Sequence, residues 1–211
     1  MGRADALKPP NHKHGHRLLA RSELPIDTAT LARYLIGKLL VRELPEGIAS
    51  GRIVETEAYI IGDAAGHAFR GMTQRNRSLF LEPGHAYVYL AYGVSYMLNV
   101  SSEAAGIGAG VLIRAIEPLE GIPIMQLNRR IERVRDLARG PGRLAAALRI
   151  DRGLDGLDLC WKGPLWLAHG DDELREIGQS IRIGISQDAD RPLRFYLRNS
   201  PFVSGRKSLN E

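Results

Sequence analysis

A single cysteine, Cys160, leaves this chain without an internal disulfide and without the ligands for a thiolate zinc site or an iron–sulfur cluster, which fits a reducing compartment. No apolar signal-peptide core opens the sequence, whose first residues are polar. The longest span free of Asp, Glu, Lys and Arg, residues 83–102, is long enough to cross a bilayer. It contains a proline, two glycines, His85, Asn99, three serines and four tyrosines, however, and is expected to form a hairpin, not a membrane helix. Internal repeats, low-complexity tracts and an interdomain linker are also missing. With 211 residues, 44% hydrophobic and 25% charged, the chain has an ordinary globular composition and is expected to form one domain over residues 21–211.

Acidic residues are scarce in two places. Between Ala64 and Leu81, Arg70, Arg75 and Arg77 stand without an acid, and from Arg129 to Arg152 eight arginines face Glu132, Asp136 and Asp151. With a net charge of +5 and a pI near 9.5, this distribution points to an anionic partner, phosphates above all; a plainly basic enzyme is the bland alternative. Residues 1–20 read as a flexible basic tail with Pro9-Pro10 and alternating His12, His14 and His16. Alternating histidines invite a metal, but in such a segment a solvated tail is the simpler reading, and no metal is assigned.

The informative stretch runs from Arg52 to Asn99. Residues 52–59 alternate as a strand, so Glu55, Glu57 and Tyr59 share one face. Residues 85–100 read as two strands meeting at Tyr92-Gly93, and four tyrosines lie on them. Tyrosines at strand spacing keep a flat apolar face and a polar tip. Such faces stack on bases, a tyrosine at a hairpin tip can be pushed into a duplex, and a nearby carboxylate can act on an extruded nucleotide. Core packing is the alternative for Tyr87 and Tyr96. Periodicity alone cannot choose between Glu55 and Glu57.

The remaining pattern predicts a helix over 29–36 with Asp27-Thr28 as its cap and Gly37 as its end. Strands are expected over 38–44 and 48–59, with a turn at 45–47. Short helices are expected at 63–68 and 77–81, a strand at 110–116 with Leu112, Arg114 and Ile116 on one face, and a helical region over 120–137. An arginine between apolar strand neighbours is rarely idle. Residues 139–148 place a glycine-rich turn before an apolar helix, which either cradles a phosphate or simply caps a packed helix. Residues 158–168, 180–185 and 193–197 complete the expected strands. The fold class is α+β, a curved and mainly antiparallel sheet with surrounding helices and a protruding hairpin.

The runs 52–59, 87–93 and 112–121, with His67, Asn99, Gly140-Pro141-Gly142-Arg143-Leu144 and 191–196, resemble the alkyladenine (3-methyladenine) DNA glycosylase family over about residues 20–205. The resemblance implies a monofunctional glycosylase of base excision repair. Its members flip alkylated or deaminated purines (the 3-methyladenine, 7-methylguanine, hypoxanthine and ethenoadenine class) out of double-stranded DNA and hydrolyse the N-glycosidic bond. It places the catalytic glutamate on Glu57, with Arg114 and the main-chain carbonyl of Ile183 holding the water. The flipped base is expected between Tyr59 and the pair His67 and Tyr89, with Asn99 at the pocket floor and Tyr92 filling the gap in the duplex. Thr73 lies in a loop that touches DNA in that family, flanked by Arg70 and Arg75. No cofactor, no membrane and a cytoplasmic or nuclear monomer are implied, and the lack of lysine between Arg52 and Asn99 argues against a Schiff-base lyase step. Two other classes compete: a non-catalytic module that reads distorted DNA, and a metal-dependent nuclease, for which Glu55 and Glu57 alone are few ligands.

Overall fold

A computed structural model describes residues 15–171 and 176–210. Eight strands form one antiparallel sheet in the order β3-β4-β5-β2-β1-β6, while β7 pairs with β8 and β8 joins β2. They are β1 (Leu39–Leu44), β2 (Gly47–Tyr59), β3 (Ala86–Ala91), β4 (Ser95–Ser101), β5 (Gly110–Glu120), β6 (Leu165–Ala168), β7 (Ile177–Ser180) and β8 (Arg194–Leu197). The helices α1 (Thr28–Tyr34), α2 (Ile122–Arg129) and α3 (Pro141–Ala147) pack around it, giving a single α+β domain.

The long strand β2 is the trunk. Its first half pairs with β1, its second half with β8, and its other edge runs along β5. β1 and β8 take successive stretches of one edge, residues 47–52 and 55–57. Register shifts at Ser50/Gly51, Ile53/Glu55 and Glu55/Thr56 bend the sheet, as bulges do. Gly51 is needed at the first: a β-carbon there would lie 2.7 Å from the Glu117 carbonyl oxygen.

Asp27 caps α1, its carboxylate accepting from the Thr30 N–H at 2.7 Å, and Leu31, Ala32 and Leu35 bury its inner face completely. At α3, Gly142 lets the helix start lie against the turn end of the β3–β4 hairpin, since a β-carbon would come within 2.9 Å of Ser95.

Several expected elements differ. Residues 63–68 form successive turns, and 77–80 a single 3-10 turn. The helical region over 120–137 is split: α2 closes at Arg130, whose φ of 55° is left-handed, and a 3-10 turn follows at Val134–Asp136. Only 165–168 of the strand expected over 158–168 is a ladder strand. The strand placed at 180–185 lies instead at 177–180, because residues 182 and 183 turn inward to bond the interior of the domain. Of the expected tail, residues 1–14 lie outside the described residues. The rest is attached to the sheet: Leu18 bridges Ala168, Leu19 is fully buried, and His16 bonds Glu120. Among the described residues no helix is long and apolar enough to cross a membrane.

Candidate active site

Strand alternation and the bulges build the site. The β2–β5 register passes over Val54 on one strand and over Arg114 on the other, so Arg114 stands without a direct cross-strand partner. Its guanidinium reaches both acids of β2: Nε donates to Glu55 Oε1 at 2.9 Å and Nη1 lies 3.1 Å from Glu57 Oε2.

Both carboxylates are fully buried, yet their surroundings differ. Glu55 accepts from Arg114 Nε, from Arg194 Nε (2.8 Å), from the Ser204 hydroxyl (2.9 Å) and from the Ser204 N–H (2.7 Å). Burial pushes the Glu55 carboxyl up, but the Arg114 and Arg194 guanidinium groups outweigh it and hold it below the usual carboxylate range. Glu57 accepts from the Tyr59 hydroxyl (3.0 Å, Oε2), from Arg114 and from the Ile183 N–H (2.7 Å, Oε1). Burial and the Glu57 charge push the Tyr59 phenol up, so it stays protonated and donates. Arg114 keeps its charge because the two carboxylates outweigh the cost of burying it.

The three groups that hold Glu57, namely Tyr59, Arg114 and Ile183, line a cavity of about 410 Å³. His67, Tyr87, Tyr89 and Asn99 complete its walls. The His67 ring packs edge-on against Tyr89 with centroids 4.3 Å apart, and Tyr87 stacks on Tyr89 at 5.4 Å. The Tyr87 hydroxyl sits 2.9 Å from His67 Nδ1 and fixes that ring. Burial, and then Arg75, push the His67 pKa down, which keeps the imidazole neutral near pH 7. Burial lifts the Tyr87 phenol to about 12. Asn99 donates to the Tyr87 carbonyl oxygen at 3.2 Å.

Tyr92 lies at the cavity rim on a three-residue connection (92–94), not a two-residue turn; its side chain is 92% exposed and its backbone is left-handed, with φ 51°. A bulky residue in that conformation is strained by about 1–2 kcal/mol, a cost often found at functional positions. Arg70, Thr73 and Arg75 are exposed on the loop beside the cavity and do not line it. Asn76 organises that loop, its amide oxygen accepting from the Thr73 N–H and its amide nitrogen donating to the carbonyls of His67 and Gly71.

Thus Arg114, Ile183, Tyr59, His67, Tyr89 and Asn99 converge on the cavity, with Glu57 fully buried behind the three that bind it, Tyr92 at the rim and Arg70, Thr73 and Arg75 outside. The sequence reading left Tyr87 open and overlooked Arg194 and Arg182. Each of these arginines has apolar neighbours on both sides, Leu193 and Phe195 or Ile181 and Ile183. The same signal singled out Arg114. Among the described residues no three His, Cys, Asp or Glu side chains cluster to hold a metal ion. Glu55, with two guanidinium groups against it, offers nothing to a divalent cation.

Comparison with known proteins agrees with this geometry. The sequence model of the methylpurine-DNA glycosylase family matches residues 22–201. A protein of Mesorhizobium japonicum is 73% identical over 211 residues, the full length of both chains. One of Paraburkholderia phytofirmans is 53% identical over 191 residues (90% of each chain), and one of Methanocella arvoryzae 50% over 184 residues (85% of this chain and 92% of the relative). All three carry the provisional name 3-methyladenine DNA glycosylase.

Proposed function

This chain belongs to the methylpurine-DNA glycosylase family, enzymes that hydrolyse N-glycosidic bonds in DNA, and on that premise we propose that it removes alkylated and deaminated purines from duplex DNA with Glu57 as the general base. The observation that carries this reading is the unfilled acceptor position on Glu57. A carboxylate offers about four lone-pair sites. Among the described residues Tyr59, Arg114 and Ile183 occupy three, leaving one on Oε1, and these three residues line a cavity of about 410 Å³ that Glu57 lies directly behind.

A water held there loses its proton to Glu57 as it attacks C1′, while the carboxylate stabilises the oxocarbenium-like sugar. The electron pair of the breaking bond leaves with the purine. An alkylated purine already carries positive charge, so it departs without a partner acid. Arg114 orients Glu57, and the Ile183 carbonyl supplies a second acceptor for the water. The base itself stacks between Tyr59 and the rings of His67 and Tyr89. A neutral His67 does not repel a cationic base.

Asn99 at the floor disfavours the exocyclic amine of guanine, Tyr92 fills the gap in the duplex, and Arg70, Thr73 and Arg75 hold the strand backbone. Hypoxanthine and ethenoadenine are expected substrates beside methylpurines. Among the described residues no lysine lines the cavity, which fits a reaction that stops at the abasic site. The protein works as a monomer in the cytoplasm, at the nucleoid of a bacterial cell, and without a cofactor.

Single-turnover excision from a duplex carrying one 7-methylguanine tests the assignment. Glu57→Gln is expected to abolish base release while lesion binding persists. Full excision by that variant would transfer the role of base elsewhere, and a wild-type protein that binds lesion duplex without releasing the base would favour the non-catalytic reading.

A further inference from the structure

Behind the cavity wall lies an ion pair that the chemistry above does not use. Arg182 and Asp63 are 3% and 1% exposed. Arg182 Nη1 bonds Asp63 Oδ2 and the Ala58 carbonyl oxygen (3.0 Å), while Nη2 bonds Asp63 Oδ1 (3.1 Å) and the Asp188 carbonyl oxygen (3.1 Å). One guanidinium therefore fastens three pieces of chain: the end of β2, the turn after it, and the loop that follows β7.

Two further contacts give this fastening a consequence. The guanidinium carbon stands 4.7 Å from the centre of the Tyr59 ring, so Arg182 backs the aromatic wall of the cavity. Its chain neighbour, Ile183, donates the N–H that holds Glu57 Oε1. The Asp188 carboxylate in turn accepts from the Ala64 N–H at 2.8 Å, closing the same loop onto the same turn.

We infer that Arg182, paired with Asp63, is a positioning residue for the excision reaction, setting the Ile183 N–H on Glu57 and the Tyr59 ring at the base together. This rests on Glu57 being the base. Stability alone gives little reason for such a pair, since a buried ion pair is often matched or bettered by apolar side chains of the same volume. An apolar pair, however, could not point four hydrogen bonds at three separate segments. Because Asp63 cancels the Arg182 charge, the pair also leaves Tyr59 free to stack on a cationic purine.

The test uses the full chain and a duplex carrying one 7-methylguanine. Arg182→Lys keeps the charge but loses the planar fork; its single-turnover excision is expected to slow by about 10²-fold, the usual cost of a misplacement of roughly 1 Å. Binding to undamaged duplex, which depends on phosphates, is expected to stay unchanged at an assay temperature below the variant's own melting transition. Guanidinium ion added to Arg182→Ala is expected to restore part of the rate. Asp63→Asn, which keeps the shape and one acceptor, provides a milder second variant with the same split between rate and binding. A folded Arg182→Lys protein with the wild-type rate would overturn the inference, as would losses of rate and undamaged-duplex binding in equal proportion. Glu57→Gln runs in parallel: if that variant excises normally the assignment of the base fails, whereas an inactive Glu57→Gln beside a fully active Arg182→Lys sinks only the positioning role.

Discussion

Glu55 and Glu57 stand two residues apart on the same face of the same strand, equally removed from solvent, and share one arginine. Four donors crowd Glu55, two of them guanidinium nitrogens, with three on Oε1 and one on Oε2, and of the three residues that supply them only Arg114 lines the cavity. Glu57 has three donors among the described residues, and all three come from residues that line the cavity. Glu55 is thus tied to Arg194 and Ser204, away from the cavity, whereas every donor to Glu57 belongs to the cavity lining, and Glu55 helps to fix the arginine that both share.

The sharpest way to break this contrast is to neutralise each acid in turn. Glu57→Gln is expected to lower single-turnover excision by at least about 10²–10⁴-fold, the range of general-base contributions, with little loss of stability. Glu55→Gln is expected to do the reverse in its first effect. It leaves Arg194 buried without its Glu55 counter-ion and Arg114 with Glu57 alone, at a cost of about 3–5 kcal/mol in denaturant unfolding. Activity would then fall only as far as Arg114 moves. Equal stability losses in the two variants would erase the distinction.

The same pair can be separated by pH. In the folded protein Glu55 titrates below its ordinary value, since the two guanidinium groups outweigh burial. Its contribution to stability is therefore fully present above the unfolded carboxyl value of about 4.3 and is lost as pH falls through the folded value. Unfolding curves between neutral pH and acid are expected to show wild-type stability dropping over that window and the Glu55→Gln variant dropping less. An identical acid limb in both would remove Glu55 as its source.

Away from the acids, the hairpin tip trades stability for binding. Tyr92→Ala is expected to weaken lesion-duplex affinity by about 1–3 kcal/mol, the value of one aromatic stack. Tyr92→Asn should weaken it too while raising stability by about 1 kcal/mol, because Asn tolerates the left-handed backbone that strains tyrosine. Affinity equal to wild type in both variants would leave the exposed ring without a role. The smallest effect is expected at Arg75→Ala, where the slope of log affinity against log salt should fall by about 1 as one phosphate contact disappears.

Much of this architecture could be read from local pattern. The 52–59 alternation placed Glu55, Glu57 and Tyr59 on one face, and the tyrosine spacing of 85–100 announced the hairpin, because strand side chains obey a period of two wherever they fold. The resemblance then separated Glu57 from Glu55. The turns at 63–68 and the path of 181–185 escaped because Asp63 and Arg182 leave regular structure to meet each other across more than a hundred residues. Arg194 and Ser204 escaped for the same reason: their partner is Glu55, far away in sequence.

Composition and periodicity by themselves determined that the chain is a lone α+β domain, that it presents an aromatic hairpin, and that two acids point the same way. Which acid takes all its donors from the cavity lining was decided only when β8, the segment after it and the loop beyond β7 folded against β2, because those donors come from distant parts of the chain and strand spacing carries no record of them.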